Sequence, residues 1–193
     1  MQDKNPGRIR KIPMISGGAM KRFFVLVFVA LLAGGRMFAQ ASKPQDPWAP
    51  LNFLLGEWEG VGTGTPGEAV GGTSFAFDLD KRILVRKNWA KYPPKPGDKM
   101  GLSHEDLMII YTSSGESVLR AIYFDNEDHV INYKVSPPPN PSAVVFETDP
   151  AQKGPRFRLV YEVSAAGTLK NNFLIASPGE EFKVYAQGTL KKK

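Results

Sequence analysis

The stretch Leu51–Gly64, LNFLLGEWEGVGTG, runs from a short apolar segment into a glycine at every second position, Gly60, Gly62 and Gly64, in step with Trp58. Side chains alternate faces along a strand, so these four positions share one face. Glycine weakens a strand unless that strand must bend, bulge or admit a close neighbour. The pattern predicts a first strand that curls sharply. Trp58 is then a floor or core residue, and Gly60 and Gly62 are the structural positions that let the strand coil. The apolar segment, opened by Pro50 and ended by Gly56, predicts a short helix over Leu51–Leu55.

Downstream, no stretch carries helical periodicity of useful length. β-rich runs at 57–64, 72–80, 82–91, 104–112, 117–124, 129–135, 142–148, 156–163, 168–176 and 181–190 alternate with turn residues. Asp80-Lys81, Ser113-Ser114-Gly115, the Asp125–Asp128 segment, Ala165-Ala166-Gly167 and Ser177-Pro178-Gly179 read as hairpin connections. Two longer breaks, PPKPGDKMG and SPPPNP, read as exposed loops. Consecutive antiparallel strands leave two long edges unless the sheet closes on itself. The expected fold is all-β: a ten-stranded antiparallel up-and-down β-barrel with a short N-terminal helix.

The first 41 residues read differently. Lys21-Arg22 precedes the apolar run FFVLVFVALL, and Ala39-x-Ala41 fits a small-x-small cleavage site. The run is short for a hydrocarbon core of about 30 Å, so a cleaved export signal is expected rather than an anchor. Met20 stands directly before the basic pair, which makes residues 1–19 an artefact of start-site choice. Residues 1–41 are thus an N-terminal extension plus signal peptide, and 42–193 a single β-barrel domain. The product is expected to be exported, periplasmic or secreted, after a cut near Ala39 or Ala41. Membrane contact is expected only through the transient signal.

Residues 1–41 hold seven of the 25 Lys and Arg and one of the 19 Asp and Glu, which leaves eighteen of each sign in residues 42–193. The basic pI near 9.5 is therefore a property of the leader and no nucleic-acid footprint. The tip Lys191-Lys192-Lys193 reads as a solvated end. There is no cysteine, which excludes disulfides, a thiolate nucleophile and a lipoprotein anchor.

The segment FLLGEWEGVGTG, with a short apolar helix before Gly-x-Trp and a strand meander after it, resembles the calycin superfamily, and within it nitrobindin-like and fatty-acid-binding-protein-like barrels. RILVRKNWAKYP, SHEDLMIIY and LRAIYFDNEDHVINYKV resemble runs of uncharacterised bacterial secreted proteins. The likeness covers roughly residues 47–190. It implies a calycin-like, lipocalin-like barrel and a ligand-binding interior. Nitrobindins hold haem through a histidine on a late strand. Here the histidines are His104 and His129, and 168–193 contains none, so haem does not carry over and no cofactor is expected.

Candidate site residues follow from strand parity. Arg86 and Asn88 share a face of strand 82–91 with Leu84. His104, Asp106, Met108 and Ile110 share a face of strand 104–112. Arg120 and Tyr123 stand on opposite faces of the next strand, and His129, Ile131 and Tyr133 on one face of the one after. Turned inward, Arg86, Asn88, His104 and Asp106 form a polar mouth above Met108 and Ile110. The ligand-binding set is Arg86, Asn88, His104, Asp106, Met108, Arg120 and Tyr123. The guest is a small, partly apolar or lipid-like molecule, anionic where Arg86 or Arg120 receives a carboxylate or phosphate, with its tail among Phe75, Phe77, Met108 and Phe157. Arginine's planar fork suits such an oxyanion, and a buried arginine with no internal acid needs one. Taken singly, each arginine is more ordinarily a surface residue paired with Glu105 or Glu116, which is worth little.

Two other functions compete. His104 and Asp106 on one face could serve a hydrolase or isomerase. The plainer role of His104 is a hydrogen bond at a loop-to-strand junction, and no catalytic residue is assigned. Glu105 points the other way, and two ligands are too few for zinc even if His129 with Asp125 or Asp128 lies close, so no metal site is expected. DNEDH lacks calcium-loop spacing. No nucleophile elbow, phosphate loop or dinucleotide fingerprint is present. The third function is a ligand-free envelope-interaction protein with a filled interior. Oligomeric state is left open.

Overall fold

The computed structural model describes residues 46–113, 118–136, 140–149 and 154–193. The leader, the residues around Gly115 with Glu116, and the middle of SPPPNP lie outside the described residues. The chain divides into two units, Met1–Pro44 and Gln45–Lys193, and the described residues belong to the second.

Ten strands form one closed antiparallel barrel: β1 (Gly56–Gly64), β2 (Ala69–Asp78), β3 (Ile83–Tyr92), β4 (Leu102–Thr112), β5 (Leu119–Asp125), β6 (Val130–Ser136), β7 (Ala143–Glu147), β8 (Arg156–Val163), β9 (Leu169–Ala176) and β10 (Lys183–Lys192). Each strand pairs with its sequence neighbour, and β10 returns to β1 to close the ring. The expected all-β meander is therefore the observed one. The apolar lead-in is a 3-10 turn, Ala49–Leu54, rather than an α-helix over Leu51–Leu55. Six residues with Pro50 near the start and β1 beginning at Gly56 leave no room for i to i−4 bonding.

That turn plugs one end. Leu51 and Leu54 are fully buried, and Trp58 Nε1 donates to the Leu54 carbonyl at 2.8 Å. Trp48 meets Phe77 edge-on with ring centroids 5.4 Å apart. Above the plug the interior stays solid. Phe75 of β2 and Tyr161 of β8 touch edge-on at 5.3 Å, although they belong to different walls. Arg86 of β3 lies 5.7 Å over the ring of Tyr161, and β3 and β8 stand diametrically opposite in the ring. The barrel is thus bridged from wall to wall at mid-height.

The glycine face has its explanation at the β1–β10 seam. A side chain at Gly60 would overlap the Thr189 carbonyl oxygen and crowd the Leu190 Cα, and one at Gly64 would meet the Tyr185 carbonyl. Gly64 also takes φ +147°. The last strand presses against the bare side of the first, and that close approach supplies the curl that closure requires. Lys192 and Lys193 belong to the same seam rather than to a free tip: Lys192 pairs with Trp58, and the Lys193 amide donates to the Glu57 carbonyl at 3.0 Å.

The β2–β3 connection differs from the expected tight turn at Asp80-Lys81. Leu79, Asp80 and Lys81 all take positive φ, at 49°, 52° and 62°, a left-handed turn built without glycine. Asp78 caps it by accepting from the Leu79 amide at 2.6 Å.

Gly60→Ala should lower stability by about 1–3 kcal/mol through overpacking at the seam. Urea unfolding at the wild-type midpoint would show that β10 does not lean on that face.

Candidate functional site

The two ends of the barrel are unlike. Inward-facing side chains at the plugged end are shut off from water: Trp58 is 3% exposed, and Leu84, Met108, Ile110 and Leu169 are 0% exposed. Inward-facing residues at the other end, including Asn88, Ala90, His104, Tyr123, Phe157 and Phe173, are only partly buried. A side chain that points into a barrel and still meets solvent lines a space open to solvent. The fold is therefore a cup: solid below Tyr161, open above it. Its β10–β1–β2–β3 wall carries only small residues at this level, Gly62, Gly71, Ala90, Ala186 and Gly188, with the Asn171 side chain lying over Gly188. Phe157 and Phe173 stack at 6.0 Å on the far wall, with Tyr185 edge-on at 6.1 Å.

The wall of β3, β4 and β5 carries the polar groups. Arg86 Nη1 donates to Asp106 Oδ1 at 2.6 Å, with both side chains under 5% exposed. Asn88 Nδ2 donates to the other carboxylate oxygen at 2.8 Å. His104 Nε2 lies 3.4 Å from that same oxygen and 3.2 Å from the Tyr123 hydroxyl. His104 Nδ1 lies 2.9 Å from Glu127 in the β5–β6 turn. The Tyr123 hydroxyl donates to Asp125 Oδ2 at 3.1 Å. Asp125 also accepts from the Glu127 and His129 amides at 3.0 and 2.9 Å, so one carboxylate organises the turn. The result is a continuous chain from the barrel centre to the rim.

The electrostatics follow from these contacts. The hydrogen bond to Asp106, together with that to Glu127 and against the cost of burial, raises the His104 pKa from 6.5 to about 9. The imidazole is therefore charged at neutral pH, with both ring N–H groups donating. Burial works against the charge of Arg86, but Asp106 and the dipoles of the surrounding tyrosines outweigh it and raise its pKa. Burial drives Tyr123 well above the usual phenol range, so its hydroxyl stays protonated. Burial would raise Asp125, yet the bonds from His129, Glu127 and Tyr123 win and hold it low.

The seven sequence-derived residues fall into three places. Arg86, Asn88, His104, Asp106 and Tyr123 meet in the network just described. Met108 sits below it, fully buried in the core. Arg120 lies between the buried inward pair Leu119 and Ala121, on the outer face of β5, and does not join the others. Three expectations change. Arg86 is not a surface residue paired with Glu105, because Glu105 faces outward while Asp106 faces in. Arg86 has its internal acid, so no anion is needed to neutralise it. Phe75, Phe77 and Met108 do not offer a tail channel: Phe75 and Met108 are core, and Phe77 packs on Trp48. The expected hydrogen bond of His104 near a loop is present, at the third residue of β4, and it reaches Glu127. Glu127 and Tyr161 were not singled out by sequence, and Asp125 was named only as a partner of His129, which it does bind, through Oδ2 to the imidazole Nδ1 at 2.9 Å. The acidic turn read only as a hairpin, and Tyr161 is one inward residue in the alternation of Phe157, Leu159 and Tyr161.

With its pKa raised to about 9, the His104 imidazole carries a proton on both ring nitrogens at neutral pH. No group of three or more potential metal ligands occurs among the described residues.

No family model matches the chain, and no curated protein matches it. Among solved structures, the crystal structure of Rv2717c from M. tuberculosis is similar at a TM-score of 0.52 and 14% identity, over 76% of this chain and 97% of that one. At that identity the likeness shows a shared barrel fold and nothing finer.

Asp106→Ala should destabilise the fold by about 3–5 kcal/mol, because it leaves the Arg86 guanidinium buried and unpaired. The double change Arg86→Met with Asp106→Leu should recover most of the loss in urea unfolding. A mild single change would show that Arg86 escapes to water. The raised His104 pKa sets a second expectation. Its contribution is fully present below pH 6.5 and fades as pH rises towards 9. Stability measured across that window should decline, and His104→Gln should flatten the decline.

Proposed function

We propose that the chain is an exported binding protein that takes a small, partly apolar molecule into the open end of a calycin-like barrel. The observation that carries this reading is the inward-facing yet solvent-reached wall above the Arg86–Tyr161 bridge. Small barrels hold one ligand in such a space. The bare glycine and alanine wall gives room, the Phe157–Phe173 shelf gives apolar surface, and the Asn88–His104–Tyr123 wall gives polar contacts. The pattern at 21–41 supports export, with a cut near Ala39 or Ala41. The outer face carries Lys87, Glu105, Lys134 and Glu162, which interrupts the apolar band that a membrane barrel would need. No helix among the described residues is long and apolar enough to cross a membrane.

A second reading has an observation of its own. An open depression of about 720 Å³ at β3–β5 is lined by Lys87, Trp89, Lys91, Leu107 and Phe124 of the outer face and reaches Asn88, Asp106 and Asp125 at the edge of the polar wall. Exposed apolar residues rimmed by charge suit a protein partner, which is the envelope-interaction alternative.

Native mass spectrometry of the exported protein should show a retained small molecule, or a mass shift on incubation with medium-chain lipids. Ala90→Phe, which fills the bare wall, should abolish that shift while melting stays within a few degrees of wild type. A clean apo mass across a lipid panel would remove the binding reading and leave the outer depression as the better candidate.

A further inference from the structure

Three buried polar atoms make no hydrogen bond of full geometry among the described residues: Arg86 Nε, the Tyr133 hydroxyl and the Tyr161 hydroxyl, the last with Thr73 and Arg86 as polar neighbours that interact with it more weakly. They are not scattered. Arg86 lies against the Tyr161 ring, and Tyr133 and Tyr161 both meet Phe146 edge-on with centroids 6.3 Å apart. The three come from β3, β6 and β8, on different walls, and together they make the bridge that floors the cup. An unmet donor in a barrel interior costs free energy that phenylalanine at either tyrosine position would avoid. Three such donors in one place call for an explanation, a bound polar group being one.

Charge decides what kind of group they serve. Both inner cations are already matched: Arg86 by Asp106, and His104 by Asp106 and Glu127. A carboxylate brought to this floor would sit beside Asp106 with no free cation to meet it, and an unpaired buried charge is the costliest group a protein interior can hold. A neutral oxygen meets no such penalty. Burial pushes the Tyr161 pKa up to about 12 and raises that of Tyr133 as well. Both hydroxyls therefore keep their protons and can donate.

We infer that the polar end of the guest is uncharged, the carbonyl of an ester, amide or ketone, accepted at the floor of the cup by Arg86 Nε and the Tyr133 and Tyr161 hydroxyls. This rests on the cup being the binding site, as proposed above, and it replaces the anionic headgroup with a neutral acceptor.

The test uses a matched pair, methyl decanoate and decanoate, titrated into the mature protein, with Tyr133→Phe, Tyr161→Phe and Tyr111→Phe on the outer face of β4 as the control. Wild type should bind the ester at least tenfold more tightly than the acid. Each inner Tyr→Phe change should raise the melting temperature, by removing an unmet hydroxyl, and weaken ester binding roughly three- to tenfold. Tyr111→Phe should move neither. Ester affinity unchanged in both inner variants would mean that these hydroxyls serve a buried water or the fold alone, and would overturn the inference. Equal or tighter binding of the acid would overturn it too, while leaving the cup intact as a binding site. Binding of neither probe, together with a clean apo mass, would sink the cup reading and this inference with it.

Discussion

The seam between the first and last strands is the constraint on which the rest depends. The nine pairings between sequence neighbours are local, but β1 and β10 lie at opposite ends of the folded unit and must find each other for any edge to vanish. A ring of ten closes only if its strands tilt and coil enough. Here the coil comes from taking side chains off β1, so that the β10 backbone can lie where a Cβ would stand. The same bare face continues inward at Gly62, Gly71 and Gly188, and so the device that shuts the ring also empties one wall of the cup. Closure and capacity are a single feature of the sequence.

Below that wall the interior is not merely apolar. Arg86 reaches across from β3 to the ring of Tyr161 on β8, and Asp106 meets its charge from the neighbouring strand. A buried ion pair of this kind is weak evidence for stability, because hydrophobic residues of similar volume often serve as well or better. Its effect here is positional. It holds the floor at a fixed height, fixes which oxygen of Asp106 faces Asn88 and His104, and passes order outward through Tyr123 to the turn held by Asp125. The open end is therefore stiff on its polar side and bare on its glycine side.

Much of this was legible in the sequence, for reasons that differ by element. Strand existence follows from period-two alternation, and each strand was placed. The limits of β2 shifted because Leu79, Asp80 and Lys81 turn left-handed without the glycine that usually announces such a turn. Parity put Arg86 and Asn88 on one face and His104 and Asp106 on another, but parity is a property of one strand. Whether the two faces coincide is set by register. The pairing of Asn88 with Asp106 and of Arg86 with Met108 depends on the length of the loop at 93–101. No composition rule reports that, so the ion pair was invisible, and Arg86 read either as the anchor of an anionic guest at the polar mouth or as a surface residue. Tyr133 and Tyr161 were hidden in the opposite way. An inward tyrosine in a strand reads as core, and only the hydrogen-bond inventory of the folded chain shows that its hydroxyl is unmet.

The same inventory shows where the protons of the polar wall are held. A catalytic base must keep a lone pair free near a reacting proton, and a nucleophile needs such a base beside it. In the wall of β3, β4 and β5 the protons are committed: His104 donates twice, Tyr123 donates to Asp125, and both oxygens of Asp106 accept. What remains uncommitted is a set of donors under a bare wall and beside a stacked aromatic pair. Such donors can hold a polar group in place.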